Sequence, residues 1–266
     1  MLRKLVALTM ITAVVCIATI GDDTVVKPRI LIFTKTAGFR HDSIPDGIKC
    51  VREIVSGDVD VDQTEDSALF TSENLAKYRA IVFLSTTGDV LNDAQQKAFE
   101  KFIESGGGFA GIHAASDTEQ DWPWYGQMIG AYFSGHPAIQ SATVIVEDRT
   151  HVSTAMLPER WQRTDEWYRF KRNPRAVDGI HVLARLDEST YEGGGMDGDH
   201  PCAWWREMKL GRCWYTAGGH TKESFSEPLF RAHLKEGILW SARVSAPTPT
   251  ASSKPSVDHT PPQDKK

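Results

Sequence analysis

Apolar residues follow one kind of pattern in the first half of this chain and another in the second. Residues 29–34 (RILIFT) and 80–85 (AIVFLS) are unbroken apolar runs of strand length, as expected of strands covered on both faces. Between them Ile44, Ile48, Val51, Ile54 and Val55 recur at helical spacing, Val59 and Val61 mark a short strand, and Ser72 is placed to cap a short helix reaching Tyr78. Asn92 or Asp93 caps a further helix carrying Ala98, Phe99, Phe102 and Ile103, which stops at the glycines 106–108 before a strand over 109–113. Strands alternating with helices predict a parallel sheet with helices on both faces. The loops after Thr34, Ser85 and His113 then share the carboxyl edge, where ligands of such sheets collect.

After this point helices become scarce. Strand-like pieces lie at 142–146, 162–170, 180–186, 202–206 and 213–216, and MKLG at 208–211 reads as a hairpin turn. This half is expected to extend the sheet with antiparallel strands, closed by a helix over 228–241 with Leu229, Phe230, Leu234, Ile238 and Leu239 on one stripe. One domain over 27–244 accommodates all of these elements.

The two ends differ from the rest. Arg3 and Lys4 followed by the uncharged apolar run 5–20 form a signal-peptide pattern, 1–21, with cleavage after Ala18 or Gly21. The run is short for a membrane span of ~20 residues, so no stable anchor is expected and the protein is read as periplasmic or secreted. Val15 argues against lipidation at Cys16. Residues 245–266, rich in Pro, Ser, Thr and charge, are expected to be a disordered tail.

With 30 basic against 35 acidic residues the net charge is −5, and dropping Arg3 and Lys4 makes it −7. No basic block appears, which excludes the phosphate attraction of a nucleic-acid binder. Cys50, Cys202 and Cys213 are an odd set, not a disulfide framework; Cys202 and Cys213 could bridge a hairpin or equally be small buried hydrophobes.

The chemistry concentrates in GGGFAGIHAASD, 106–117. A short strand entering a tight turn of small residues lifts one side chain above the sheet, as a nucleophile elbow does. The lifted group is the imidazole of His113, expected to be exposed at the strand end and able to move protons or bind a metal. His220 follows Gly218 and Gly219, whose backbone freedom lets the ring bend toward a site. His41 sits in the first edge loop, and His136 in the turn SGHP. Asp165 and Glu166 alternate along a strand, so one of the two should enter a given cleft. Gly193, Gly194, Gly195 and Gly198 with Asp197 and Asp199 suggest a mobile lid, or less simply a calcium loop.

TKTAGFRHDSI, GGGFAGIHAASD, WPWYGQMIGAYFSGHP, TDEWYRF and PCAWWREMKLGRCWYTAGGH, in that order, together resemble the ThuA-like (trehalose-utilisation) family. The resemblance implies an α/β, flavodoxin-like fold akin to class I glutamine amidotransferases: a three-layer sandwich whose parallel sheet is extended by antiparallel strands. It also implies a role in using trehalose and related disaccharides through keto-sugar derivatives. Among its motif residues are His41, His113, Asp117, His136, Asp165, Glu166 and His220. An amidotransferase elbow would need Cys at 113 and Gly at 115; His113 and Ala115 stand there, so thiolate chemistry on glutamine is not expected.

The reading that results is an exported enzyme acting on a small carbohydrate by acid/base chemistry, either isomerisation or elimination, or else hydrolysis. His113 and His220 would exchange protons with Asp165 or Glu166 assisting, and His41, Asp117, His136 and Trp205 would bind substrate. No metal ligands are assigned, since no HExxH-like spacing appears, although a divalent metal is left open, as is a homo-oligomer. The rival class is a non-catalytic carbohydrate-binding module that keeps the fold.

Overall fold

The computed structural model describes residues 27–244; the expected signal peptide and tail lie outside them. The elements in chain order are β1 (Arg29–Phe33), α1 (Ile44–Val55), β2 (Asp60–Thr64), α2 (Ser72–Leu75), β3 (Ala80–Leu84), α3 (Asp93–Glu104) and β4 (Gly108–Ile112). Then follow a 3-10 turn (His113–Asp117), α4 (Pro123–Ile129), β5 (Phe133–Gly135), β6 (Gln140–Val146), β7 (Arg160–Asp165) and β8 (Arg169–Phe170). β9 (His181–Asp187), β10 (His200–Met208), β11 (Gly211–Thr216) and α5 (Pro228–Ser241) complete the domain.

Nine strands form one sheet in the order β2-β1-β3-β4-β11-β10-β9-β6-β7. The first four are parallel to their neighbours, β11 joins β4 in parallel, and every later pairing is antiparallel. The fold is therefore a mixed α/β sandwich, parallel in its first half and antiparallel beyond β11. Helices α1 and α5 pack together on one face, and α3 and α4 cover the other. Phe99 of α3 packs there on Phe70, Phe83 and Phe109, with Phe33 beside them, all but wholly buried. Burial of this kind stabilises by about 1.5–3 kcal/mol per side chain.

Local chemistry sets the element ends. Asn92 and Gln95 form a capping box at the start of α3, and Gly106, at φ +109°, turns the chain into β4. For α2 the cap is Thr71, whose side chain accepts from the Asn74 amide, and Ser72 is the first helical residue. The expected strand over 162–170 is broken: β7 ends at Asp165, and β8 pairs with β5 in a separate two-stranded sheet.

Strand directions alternate beyond β11, so β7 points the same way as β4 and β11, and its carboxyl end reaches the same edge. The antiparallel half curls over α5. Trp161 of β7 meets Phe230, the Arg163 guanidinium lies 4.2 Å from the Phe230 ring centre, and both residues bond Glu227. That curl carries the residues after β7 to the loops after β4 and β11.

Two other expectations change. Cys202 and Cys213 are free and buried, because the hairpin turn pairs Met208 with Gly211 and so sets Cys213 opposite Arg206 and Cys202 against Ala217. The glycine loop is not a free lid. The Glu188 carboxylate accepts from the Met196 and Gly198 amides at 2.8 and 2.7 Å, and Asp199 is held by Arg175 and Asn173 rather than turned into a calcium loop.

Candidate active site

Four loops deliver four ligand-type side chains to one point at the carboxyl edge. His41 comes from the loop after β1, His113 from the end of β4, Glu166 from the bend after β7, and His220 from the loop after β11. One nitrogen or carboxylate oxygen from each lies within 4.8 Å of all the others.

His113 stands at the elbow with φ +51°, a left-handed conformation rare for a residue with a Cβ. That backbone turns the ring inward, and His113 is 0 % exposed, not lifted into solvent as its neighbours suggested. Tyr168 covers it, ring centres 4.1 Å apart. Its Nδ1–H donates to the Ala217 carbonyl at 2.8 Å, and Nε2 faces His220 Nδ1 (3.2 Å) and Glu166 Oε2 (3.5 Å).

His220 Nδ1 is 3.0 Å from the same Glu166 oxygen. Gly219, at φ +111°, makes the bend, and Asp165 fixes it by accepting from the Gly219 and His220 amides at 2.8 and 3.0 Å. Burial alone would lower the His220 pKa, but the hydrogen bond and charge of Glu166 override it and raise it. In Glu166, burial is likewise overridden by the hydrogen bonds of His113 and His220 and by their charge, which bring the carboxyl down to about 2. Its other oxygen, Oε1, lies 3.0 Å from His136 Nδ1.

His41 meets His113 and His220 edge-on, with ring centres 4.8 and 5.0 Å away. Burial, with the neighbouring imidazoles, lowers its pKa to about 3, so the ring is neutral. Its Nδ1 is buried without a hydrogen-bond partner among the described residues. The loop that carries it is tied to the strand-β3 loop by Ala37 N–H to the Thr87 carbonyl (2.7 Å) and Thr87 Oγ1–H to the Phe39 carbonyl (2.8 Å).

His136, 42 % exposed in its side chain, forms the rim. Its Nδ1–H donates to the Pro137 carbonyl at 2.9 Å beside Glu166. Asp117 sits at the end of the elbow turn, joined through Gln120 to Lys171, and burial raises its pKa. It does not enter the four-residue cluster.

Two residues fall outside the roles expected of them. Asp165 is wholly buried on the far side of the bend, salt-bridged to Arg163 at 3.0 Å, and acts on the backbone of His220 rather than on a ligand. Trp205 stacks on His181 with ring centres 4.1 Å apart and packs against His151 and Trp240, away from the histidines. Sequence reasoning overlooked Phe39, which is 67 % exposed and edge-on to His41 at 4.9 Å. A lone large apolar residue in the polar loop TKTAGFRHDS was the available signal.

Solved structures share this architecture. A ThuA-like protein from Bacteroides uniformis is 26 % identical, with TM-score 0.70, over 81 % of this chain and 92 % of its own. One from Parabacteroides merdae is 18 % identical, with TM-score 0.69, over 84 % and 93 %. No curated protein matches the sequence. The sequence model of the ThuA family, described as trehalose utilisation, matches residues 29–241, and the chain belongs to that family.

Proposed function

We propose that the protein is an exported enzyme acting on a disaccharide or keto-sugar derivative of the trehalose type, and that it moves a proton at a carbon beside a carbonyl group. The observation that carries this is the setting of His136. Its Nδ1–H is held by the Pro137 carbonyl and Glu166, and on a side chain 42 % exposed its Nε2 is left without a hydrogen-bond partner among the described residues, next to the buried cluster. A ring oriented through one nitrogen and free at the other is what a general base requires. His136 Nε2 takes the proton from carbon, and the electron pair moves onto the carbonyl oxygen. Positive charge at the four-residue cluster stabilises that oxygen. Return of the proton at the neighbouring position gives isomerisation; departure of a glycosidic oxygen as it takes up the proton gives elimination.

His113 is too deeply covered to touch substrate, so it orients the cluster rather than exchanging protons with the ligand. Phe39, not Trp205, is the aromatic surface available to a sugar face. Trehalose utilisation in the family supports the substrate class, and the apolar leader 5–20 supports export.

The test is turnover of trehalose, sucrose and their keto derivatives by the mature protein and by His136→Ala and His220→Ala. Loss of turnover with sugar binding largely kept is expected. Unchanged turnover in both variants would overturn the assignment, and binding without conversion of any of these sugars would favour a carbohydrate-binding module instead.

A further inference from the structure

We infer that His41, His113, His220 and Glu166 bind one divalent transition-metal ion, which supplies the positive charge at the centre of the site. The inference rests on the proposed function for the ion's role but not for its presence.

Spacing is the first argument. Metal–nitrogen and metal–oxygen bonds of about 2.1 Å put adjacent ligand atoms about 3.0 Å apart in an octahedron and about 3.4 Å apart in a tetrahedron. Among His113 Nε2, His220 Nδ1 and Glu166 Oε2 the separations are 3.2, 3.5 and 3.0 Å. The three atoms already outline one face of a coordination polyhedron.

The surroundings of the ligands are the second argument. Metal-binding imidazoles commonly donate their other N–H to a carbonyl or carboxylate, which fixes the ring and the tautomer. His113 does so through Nδ1 to Ala217, which turns Nε2 toward the centre, beside His220 and Glu166. Glu166 keeps Oε2 toward the centre while Oε1 faces His136. The backbone of His220 is clamped by Asp165.

A third argument is independent of both. A buried imidazole nitrogen without a partner is costly, and His41 Nδ1 is one. Its ring is packed edge-on against both other histidines.

Three imidazoles and one carboxylate suit zinc, manganese, iron(II), cobalt or nickel, and not calcium or magnesium, which take oxygen ligands. The described cysteines are all buried elsewhere, so no thiolate competes. With four protein ligands, a six-coordinate ion keeps two positions for substrate oxygens. His136 remains outside the ligand set as the proton-transfer group.

The experiment measures metal content by elemental analysis after purification. The chelator-treated protein is then titrated with Zn²⁺, Mn²⁺, Co²⁺ and Ni²⁺ separately, by calorimetry and thermal shift. One ion per chain and a raised Tm are expected for at least one metal. Glu166→Gln and His41→Gln should weaken binding at least tenfold, while His181→Ala should bind as wild type. For Co²⁺, the visible absorption of the bound ion should be altered in Glu166→Gln even if that variant is less stable.

A folded, chelator-treated protein that takes up none of these ions, or Gln variants that bind as tightly as wild type, would overturn the inference. Turnover by protein shown to hold no metal would overturn it while leaving the proposed function standing. Stoichiometric binding without turnover of any sugar would uphold the metal site and remove the proposed function.

Discussion

Replacing Asp165 by Asn tests the claim that this carboxylate holds the site in place and takes no part in the chemistry. Oδ1 accepts from the His220 and Glu166 amides, each at 3.0 Å. Oδ2 accepts from Gly219 N–H at 2.8 Å and Ser224 Oγ–H at 2.9 Å, and pairs with the Arg163 guanidinium at 3.0 Å. All these partners are donors. An asparagine offers one oxygen and turns an NH₂ toward the rest, so at least two donors face another donor, and Arg163, also buried, keeps Glu227 as its charged partner beside the Ser224 hydroxyl. Breaking a buried ion pair by removing one partner costs about 3–5 kcal/mol.

The lost neutral bonds belong to the same network and do not simply add, so about 4 kcal/mol is the expected loss. For a domain of this size each kcal/mol moves the Tm by about 2–4 °C, which gives a drop of about 8–16 °C by calorimetry or circular dichroism. Ser224→Ala, which removes one bond from the same carboxylate and one from Arg163 but leaves the ion pair, should cost only about 2 kcal/mol. A Tm drop below about 2 °C in Asp165→Asn, accompanied by loss of turnover, would refute the reasoning, since a reacting acid or base loses activity without unfolding the protein.

Phe39→Ala should leave stability within about 0.5 kcal/mol, because the ring is mostly exposed, yet raise KM several-fold with a smaller effect on kcat; an unchanged KM would remove Phe39 as a sugar platform. In Gly108→Ala the new Cβ would lie 2.2 Å from the Ser241 carbonyl oxygen of α5, and rigid backbone on both sides makes a loss of about 3 kcal/mol the expectation; a denaturation midpoint equal to wild type would contradict that packing. Burial lowers the His233 pKa to about 4, and His151 shifts the same way. The unfolded chain then binds more protons below pH 6.5, so stability is complete above that pH and is lost as pH falls toward 4, by about 3 kcal/mol for His233 alone. Urea unfolding of chelator-treated protein across this range, compared with His233→Gln, checks it; equal slopes in the two proteins would sink the idea.

Much of the framework could be read from local patterns. The apolar runs at β1, β3 and β4, the cap at Asn92 and the hairpin at 208–211 each follow from a few adjacent residues, and they suffice to put His41, His113 and His220 at one edge of a sheet. Alternation separates Asp165 from Glu166, although the cause differs in part: β7 stops at Asp165 and the chain bends before Glu166. What escaped local reasoning depends on the curl of the antiparallel half. Tyr168 buries His113 only because β7 swings back over α5, and no spacing within the chain encodes that. Trp205 neighbours Trp204 on β10 and so points to the opposite face of the strand, where His151, His181 and Trp240 gather and cover it. The convergence of four ligands had no motif because each comes from a different loop.

The elbow can now be assigned a different purpose from the one its sequence suggests. In a hydrolase the left-handed turn aims a nucleophile outward, and the strain is kept because attack requires it. Here the same turn, with φ +51° at His113, aims an imidazole inward, where both ring nitrogens are engaged: Nδ1 with Ala217, Nε2 with His220 and Glu166. An attacking group needs a free atom toward substrate, and His113 has none. Strain of order 1–3 kcal/mol at a non-glycine residue is instead offset by fixing a tautomer and a direction, which is what a ligand or an orienting group requires. Under the proposed function the outward role falls to His136, and Glu166 links the two histidines through its opposite oxygens.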